Sequence, residues 1–249
     1  MKSAHRQRWD LTPRAAIALQ QRLRGKVELA PLPPLGAGAL LAGTDVSYDK
    51  HSDKLFAAVV VLCLPGLEIV EQATAADRAR FPYVPGLLSF REIPPLLDCF
   101  RQLHAVPDVV LVDGQGLAHP RRFGLACHLG WLLDVPTIGC AKSILCGAFE
   151  KLALRRGATA PLIHKGETVG LAVRTRAGVQ PMYISVGHRA DLDSAAELVL
   201  RCAARYRLPE PTRAAHILGN QLRLAAPLKK ETRPTWAGLL RVYAQGFNG

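Results

Sequence analysis

No stretch of this 249-residue chain stays apolar long enough to cross a bilayer: the longest run, residues 55–64, falls far short of the roughly 20 residues a spanning helix needs. Lys2, Arg6 and Arg8 stand near the start, but no apolar segment follows them as a secretory signal requires. The six cysteines, Cys63, Cys99, Cys127, Cys140, Cys146 and Cys202, form no C-x-x-C and no Cys/His set at zinc spacing. The expectation is a cytosolic protein with reduced, mostly buried thiols, not associated with membrane. Internal repeats and low-complexity tracts are also missing, which speaks against a solenoid. Acidic residues are few: 20 Asp and Glu against 32 Lys and Arg leave a net charge of +12. Such a surplus attracts polyanions, nucleic acid first among them, but a genome rich in Arg codons produces the same excess. Only a chemical motif separates the two.

What is present reads as one globular domain over residues 1–249, 49% hydrophobic and 21% charged. Thr12 followed by Pro13 starts a helix that closes near Gly25, and the Pro- and Gly-rich residues 30–38 connect onward. Residues 39–48, 55–64 and 67–73 alternate as three strands, the last two joined by a tight turn at Pro65-Gly66. Ile93, Leu96, Leu97 and Phe100 mark a helix over 91–103, and 108–113 is a short apolar strand with an acidic end. A helix over 123–133 and strands at 137–140, 168–174 and 181–186 follow. Ala195, Leu198, Val199, Cys202 and Tyr206 line one face of a helix over 192–206. Residues 155–161 and 224–234 read as loops. Three antiparallel strands followed by helix–strand alternation make an α/β fold, a ribonuclease H-like mixed β-sheet flanked by α-helices.

Asp45 sits inside the apolar strand Leu40-Leu41-Ala42-Gly43-Thr44-Asp45-Val46-Ser47-Tyr48, where burying a carboxylate costs several kcal/mol unless it is paired. Asp113 ends the strand Val109-Val110-Leu111-Val112, where α/β sheets place their ligands, and Gly114-Gln115-Gly116 lets a substrate approach the backbone. Glu92 lies early in its helix. Each has a plain structural reading: a paired core acid, a loop cap, a favourable charge near a helix N-terminus. Together on separate elements they make a hard-oxygen cage suited to Mg²⁺, with Mn²⁺ able to substitute, and such ions promote phosphodiester hydrolysis.

Four runs then carry a resemblance. Gly43-Thr44-Asp45-Val46-Ser47-Tyr48, Pro82-Tyr83-Val84-Pro85-Gly86-Leu87-Leu88-Ser89-Phe90-Arg91-Glu92, the stretch from Val112-Asp113-Gly114-Gln115-Gly116 through His119-Pro120-Arg121-Arg122 to Gly130, and Gly139-Cys140-Ala141-Lys142-Ser143 resemble the endonuclease V family in order and approximate spacing. The resemblance implies that Asp45, Glu92 and Asp113 bind metal on a ribonuclease H-like fold. It implies a catalytic histidine at His216, within Pro211-Thr212-Arg213-Ala214-Ala215-His216, and a lysine at the substrate backbone, Lys142. Arg121 and Arg122 are expected to touch phosphate.

Tyr83 lies between Pro82 and Pro85, which restrict its loop, and an exposed aromatic there can wedge into a base step; packing on the core is the other reading. The resemblance implies wedge residues at Tyr83, Val84 and Pro85 and a hypoxanthine pocket built from Gly86, Leu87, Leu88, Gly114 and His119, largely through backbone groups. It implies nicking of deoxyinosine-containing DNA, or inosine-containing RNA, at the second phosphodiester 3′ to the altered base, by a monomer. An RNA-directed enzyme, a structure-specific nuclease and a non-catalytic inosine-binding module stand as alternatives.

Overall fold

The computed structural model describes residues 1–49 and 52–226. Its centre is an eight-stranded mixed sheet in the order β3-β2-β1-β4-β5-β8-β7-β6. The strands are β1 (Leu40–Tyr48), β2 (Lys54–Cys63), β3 (Glu68–Arg78), β4 (Val109–Val112), β5 (Thr137–Ala141), β6 (Thr159–His164), β7 (Glu167–Val173) and β8 (Met182–His188). The helices are α1 (Pro13–Leu23), α2 (Ser89–Gln102), α3 (Leu125–Leu133), α4 (Leu192–Cys202) and α5 (Glu210–Ala225). β1, β2 and β3 form an antiparallel meander, while β4 lies parallel to both β1 and β5. This is the ribonuclease H-like arrangement expected from the element order. Among the described residues no helix is long and apolar enough to cross a membrane.

Strand alternation sorts the core into two layers. Ala57, Val59, Val61, Val110 and Val112 pack under α2 and α3, whereas Val109, Leu111, Ile138 and Ile184 face α4. Val60 and Leu62 meet Ala215 of α5 on that second side. α1 begins as expected, the Thr12 hydroxyl accepting from the Ala15 amide at 3.2 Å with Pro13 in the first turn. All six cysteines are free, Cys63 and Cys146 only partly covered.

Four boundaries depart furthest from expectation. β3 runs on to Arg78, because Thr74, Ala75, Ala76, Asp77 and Arg78 keep pairing with β2 after the apolar signal has ended. The stretch 155–161 is not all loop: Thr159 opens β6, whose hydrogen bonds come from β7 across the sheet. α4 stops at Cys202, where Ala203 leaves helical geometry, so Tyr206 lies outside it, half-exposed with the Arg213 guanidinium 4.3 Å over its ring. α5 extends through Leu224 and Ala225, and residues 227–234 of the expected loop lie outside the described residues.

The seam between α2 and α3 buries His128 completely, among Trp9, Phe90 and Phe123. Its Nε2 donates to Gln7 Oε1 at 2.6 Å and its Nδ1 accepts from the Ser89 hydroxyl at 3.0 Å. Burial pushes this imidazole down to about 3. The folded protein therefore refuses a proton that the unfolded chain accepts near pH 6.5, so the stabilisation is intact above that pH and fades as the pH falls toward 3. Asp45 and Glu92 have raised values and act in the opposite sense in part of this window, so the measurement is a difference. The stability of the wild type minus that of His128→Gln, from urea melts, is expected to fall by up to about 1.4 kcal/mol per pH unit between pH 6 and 4. A flat difference would show that His128 takes up its proton in the folded state.

Candidate active site

Gly43, Asp45 and Ser47 alternate on the face of β1 that meets α5. A Cβ on Gly43 would stand 2.0 Å from the Pro211 carbonyl carbon, so only glycine lets the helix backbone lie this close. The close approach places His216 against Asp45, Nδ1 to Oδ2 at 3.2 Å. Asp113 follows β4 directly and its amide donates to Thr44 O at 3.2 Å, which fixes it beside Asp45 at the carboxyl end of β4. Lys142, just after β5, pairs through Nζ with Asp113 Oδ2. Ligand atoms of Asp45, Asp113 and His216 lie within 4.8 Å of one another.

The electrostatics of this cluster suit a cation. Burial holds the Asp45 carboxyl well above the usual range, the adjoining Asp113 adds to the shift, and Lys142 opposes it. Two close carboxylates beside an imidazole suit a divalent ion, whose charge would offset the burial that raises Asp45. Asn220, one turn beyond His216, donates through Nδ2 to His216 Nε2 at 3.0 Å while its Oδ1 accepts from the Ser47 hydroxyl at 2.9 Å. With Nε2 accepting, the imidazole proton sits on Nδ1 and points at Asp45. Partial burial lowers the His216 pKa, and Lys142 lowers it further.

Glu92 stands beside this group but not within it. It comes from α2, across the sheet from α5, and its Oε1 accepts a hydrogen bond from the Tyr48 hydroxyl. Burial raises it to about 8, with the charges of Asp113 and Asp45 adding to the effect and the Tyr48 bond opposing it. Arg91, its neighbour, donates to Phe81 O at 2.8 Å and lies 5.4 Å from the Tyr48 ring centroid.

A cavity of about 370 Å³ opens next to the acids, with Asp113 and Lys142 in its wall, within the size range of small-ligand sites. Tyr83, Val84, Pro85, Gly86, Leu88, Gly114 and His119 are among its other lining residues, as are Gln20, Gln115, Ile144 and Leu145. Tyr83 is 54% exposed, so the core-packed alternative for this ring does not hold. Leu87 turns the other way, into a core cluster with Ala16, Phe81 and Phe90, and its amide closes a turn onto Val84 O at 2.9 Å. Gly86, at φ +77°, occupies the position in that turn that favours glycine.

The arginines are already engaged. Arg121 donates through Nε to Gln20 Oε1 at 2.6 Å and through Nη2 to Gly86 O at 2.7 Å. Arg122 pairs with Glu167 and donates to His119 O and His164 O, tying its loop to the turn between β6 and β7. His119 hydrogen-bonds Gly86 O through Nε2 at 2.9 Å, and burial lowers its pKa to about 4. In this arrangement all three support the pocket wall.

Sequence reasoning did not single out Ser47, Tyr48, Asn220, Gln115 or Arg207. Two signals were available: Ser47 shares the strand face of Asp45, and Asn220 lies four residues after His216 on one helix. No local signal marks Gln115, whose Nε2 donates to Ser143 O at 2.8 Å, or Arg207, which holds Lys142 O at 2.8 Å, because both partners are distant in the chain.

Relatives share this architecture. The endonuclease V family model matches residues 21–217. An endonuclease V from Myxococcus xanthus is 53% identical over 218 residues, covering 88% of this chain and 92% of the relative. The crystal structure of endonuclease V from Streptomyces avermitilis superposes with a TM-score of 0.82 at 46% identity, covering 87% of this chain and 96% of that one. Endonuclease V from Ciona intestinalis, in complex with a 24mer DNA containing an inosine followed by a ribo-adenosine, gives a TM-score of 0.71 at 30% identity over 83% of this chain and 95% of that one. A family model spanning most of the chain, a curated relative above 50% identity and the matching sheet together make this chain a member of the endonuclease V family of nucleases.

Proposed function

We propose that this chain is a Mg²⁺-dependent endonuclease, Mn²⁺ substituting, that nicks an inosine-containing strand at the second phosphodiester 3′ to the altered base. One observation carries the reading: the wall of the 370 Å³ cavity beside Tyr83 includes Asp113 and Lys142, so a base-sized pocket and a cation-ready acid cluster are neighbours. The inosine-containing DNA bound by the Ciona relative supports the choice of base. The working protein is a cytosolic monomer whose whole chain forms one catalytic domain.

Reading a purine edge requires taking the base out of the stack. Tyr83, with Val84 and Pro85, fills the step it leaves, and the base enters between Gly86, Leu88, Gly114 and His119. The amides of Leu88 and Gly114 hold no hydrogen bond among the described residues, so they offer donors to the hypoxanthine carbonyl where adenine carries an amino group.

Asp45 and Asp113, with Glu92 and His216 alongside, would hold a divalent ion, which when bound would supply Lewis acidity at the phosphate. Lys142 offsets negative charge where the phosphate meets two carboxylates. His216 keeps its proton on Nδ1 and orients Asp45. Water oxygen bonds to phosphorus as the bond from phosphorus to the 3′ oxygen breaks, and that oxygen takes up a proton. The products are a 3′-hydroxyl and a 5′-phosphate, with no base released. The family resemblance implies the displaced cut site, and a base held in the cavity with the acids further along the strand is compatible with it.

End-labelled duplexes with a single inosine, in DNA and in RNA, test this with matched adenosine controls. One nick at the second 3′ bond with those ends, dependent on Mg²⁺, is the expected result. Free hypoxanthine with an abasic site, or cuts independent of inosine, would refute it, and cleavage of the RNA alone would make the enzyme a ribonuclease.

A further inference from the structure

The buried face of α1 carries Ala16, Gln20 and Leu23. A glutamine in the middle of an apolar helix face is costly unless its amide is satisfied. Gln20 is 1% exposed and fully engaged. Its Nε2 donates to Gly86 O and to Phe123 O, both at 3.0 Å, and its Oε1 accepts from Arg121 Nε. Arg121 Nη2 and His119 Nε2 add their own hydrogen bonds to Gly86 O. One carbonyl of the pocket loop thus takes three donors from two separate segments, and Gln20 aims one of the others by holding Arg121.

Nothing local demands this of Gly86, whose glycine backbone is the most adaptable in the loop. The consequence is chemical. Hypoxanthine offers a carbonyl acceptor at C6, where adenine offers an amino donor. A carbonyl facing the C6 position would pair with adenine's amino group and repel the oxygen of hypoxanthine, whereas the Gly86 carbonyl is held by three donors, and the Leu88 and Gly114 amides hold no hydrogen bond among the described residues. We propose that Gln20 is a specificity-determining positioning residue, which withholds the Gly86 carbonyl from the base pocket and so disfavours adenine. The inference rests on the inosine-directed reading above. Gln20 lies in the cavity wall, 1% exposed, and works through Gly86 and Arg121.

Two variants test it. Gln20→Glu keeps the volume and the Arg121 contact but loses both amide donors; Gln20→Leu loses all three bonds. The readout is the ratio of kcat/KM on strands carrying inosine to that on matched strands carrying adenosine, with thermal melts to verify folding. We expect the ratio to fall about tenfold in Gln20→Glu and further in Gln20→Leu, because adenosine cleavage rises relative to inosine cleavage. A general loss of stability would lower both rates together and leave the ratio where it was. An unchanged ratio in a folded variant overturns the inference, and if Gln20→Leu does not fold, Gln20→Glu decides. No preference for inosine in the wild type would instead sink the functional reading itself, before any variant is compared.

Discussion

Asp113→Asn is expected to lower inosine-directed cleavage in Mg²⁺ by about a thousandfold while leaving the fold and strand affinity nearly intact. A catalytic cation contributes several kcal/mol of transition-state stabilisation, and each ~1.4 kcal/mol is a factor of ten in rate. Asparagine keeps the shape of the side chain but removes the charge shared with Asp45, and Lys142 loses its partner. Asp45→Asn should behave in the same way. Single-turnover rates, with binding measured separately on an inosine duplex in Ca²⁺, separate chemistry from recognition. EDTA should silence the wild type and added Mg²⁺ restore it. Nicking by Asp113→Asn within a fewfold of wild type would remove the acid cluster from the mechanism.

His216→Ala comes second, with an expected loss on the order of a hundredfold in kcat and little change in strand affinity. The imidazole directs its Nδ1 proton at Asp45, and removing it takes that hydrogen bond from a buried carboxylate. Asn220→Ala retains His216 but releases the tautomer held by the Nδ2 to Nε2 bond, so a smaller loss of roughly tenfold is expected, typical of a residue that orients a catalytic group from behind. The ranking is the test: if Asn220→Ala costs as much as His216→Ala, the histidine is part of a scaffold and not of the chemistry. Wild-type rates in both would leave the approach of α5 to Gly43 without a catalytic purpose.

Much of this was readable before the fold was known, and the reasons differ by residue. β1, β2, β4 and β5 are continuous apolar runs because both faces of their sheet are covered, and such runs announce themselves. Asp45 and Asp113 stood out because a charge in or at the end of such a run is energetically conspicuous. β6 and the far half of β3 did not stand out. Most of each is exposed or only partly buried and their apolar signal in the sequence is short, and they exist as strands because β7 and β2 supply partners. Tyr206 failed for the opposite reason: its spacing suited the face of α4, but the helix ends at Cys202 and the ring stacks with Arg213.

By itself the sequence determined the alternation of elements, the identity of the acids and the family likeness, since periodicity and charge in apolar surroundings are local properties that burial imposes on every strand and helix. Only the tertiary structure decided which groups meet. It drew Asp45, Asp113 and His216 into one cluster while Tyr48 held Glu92 at its side, and it turned Leu87 into the core. It also engaged Arg121 and Arg122 in the pocket wall and brought Gln20 to a carbonyl 66 residues away. Hydrogen bonds and ion pairs between distant segments depend on distances of a few ångströms, and these are set by the close packing of α5 on Gly43 and α1 on the pocket loop, which no residue pattern along the chain encodes.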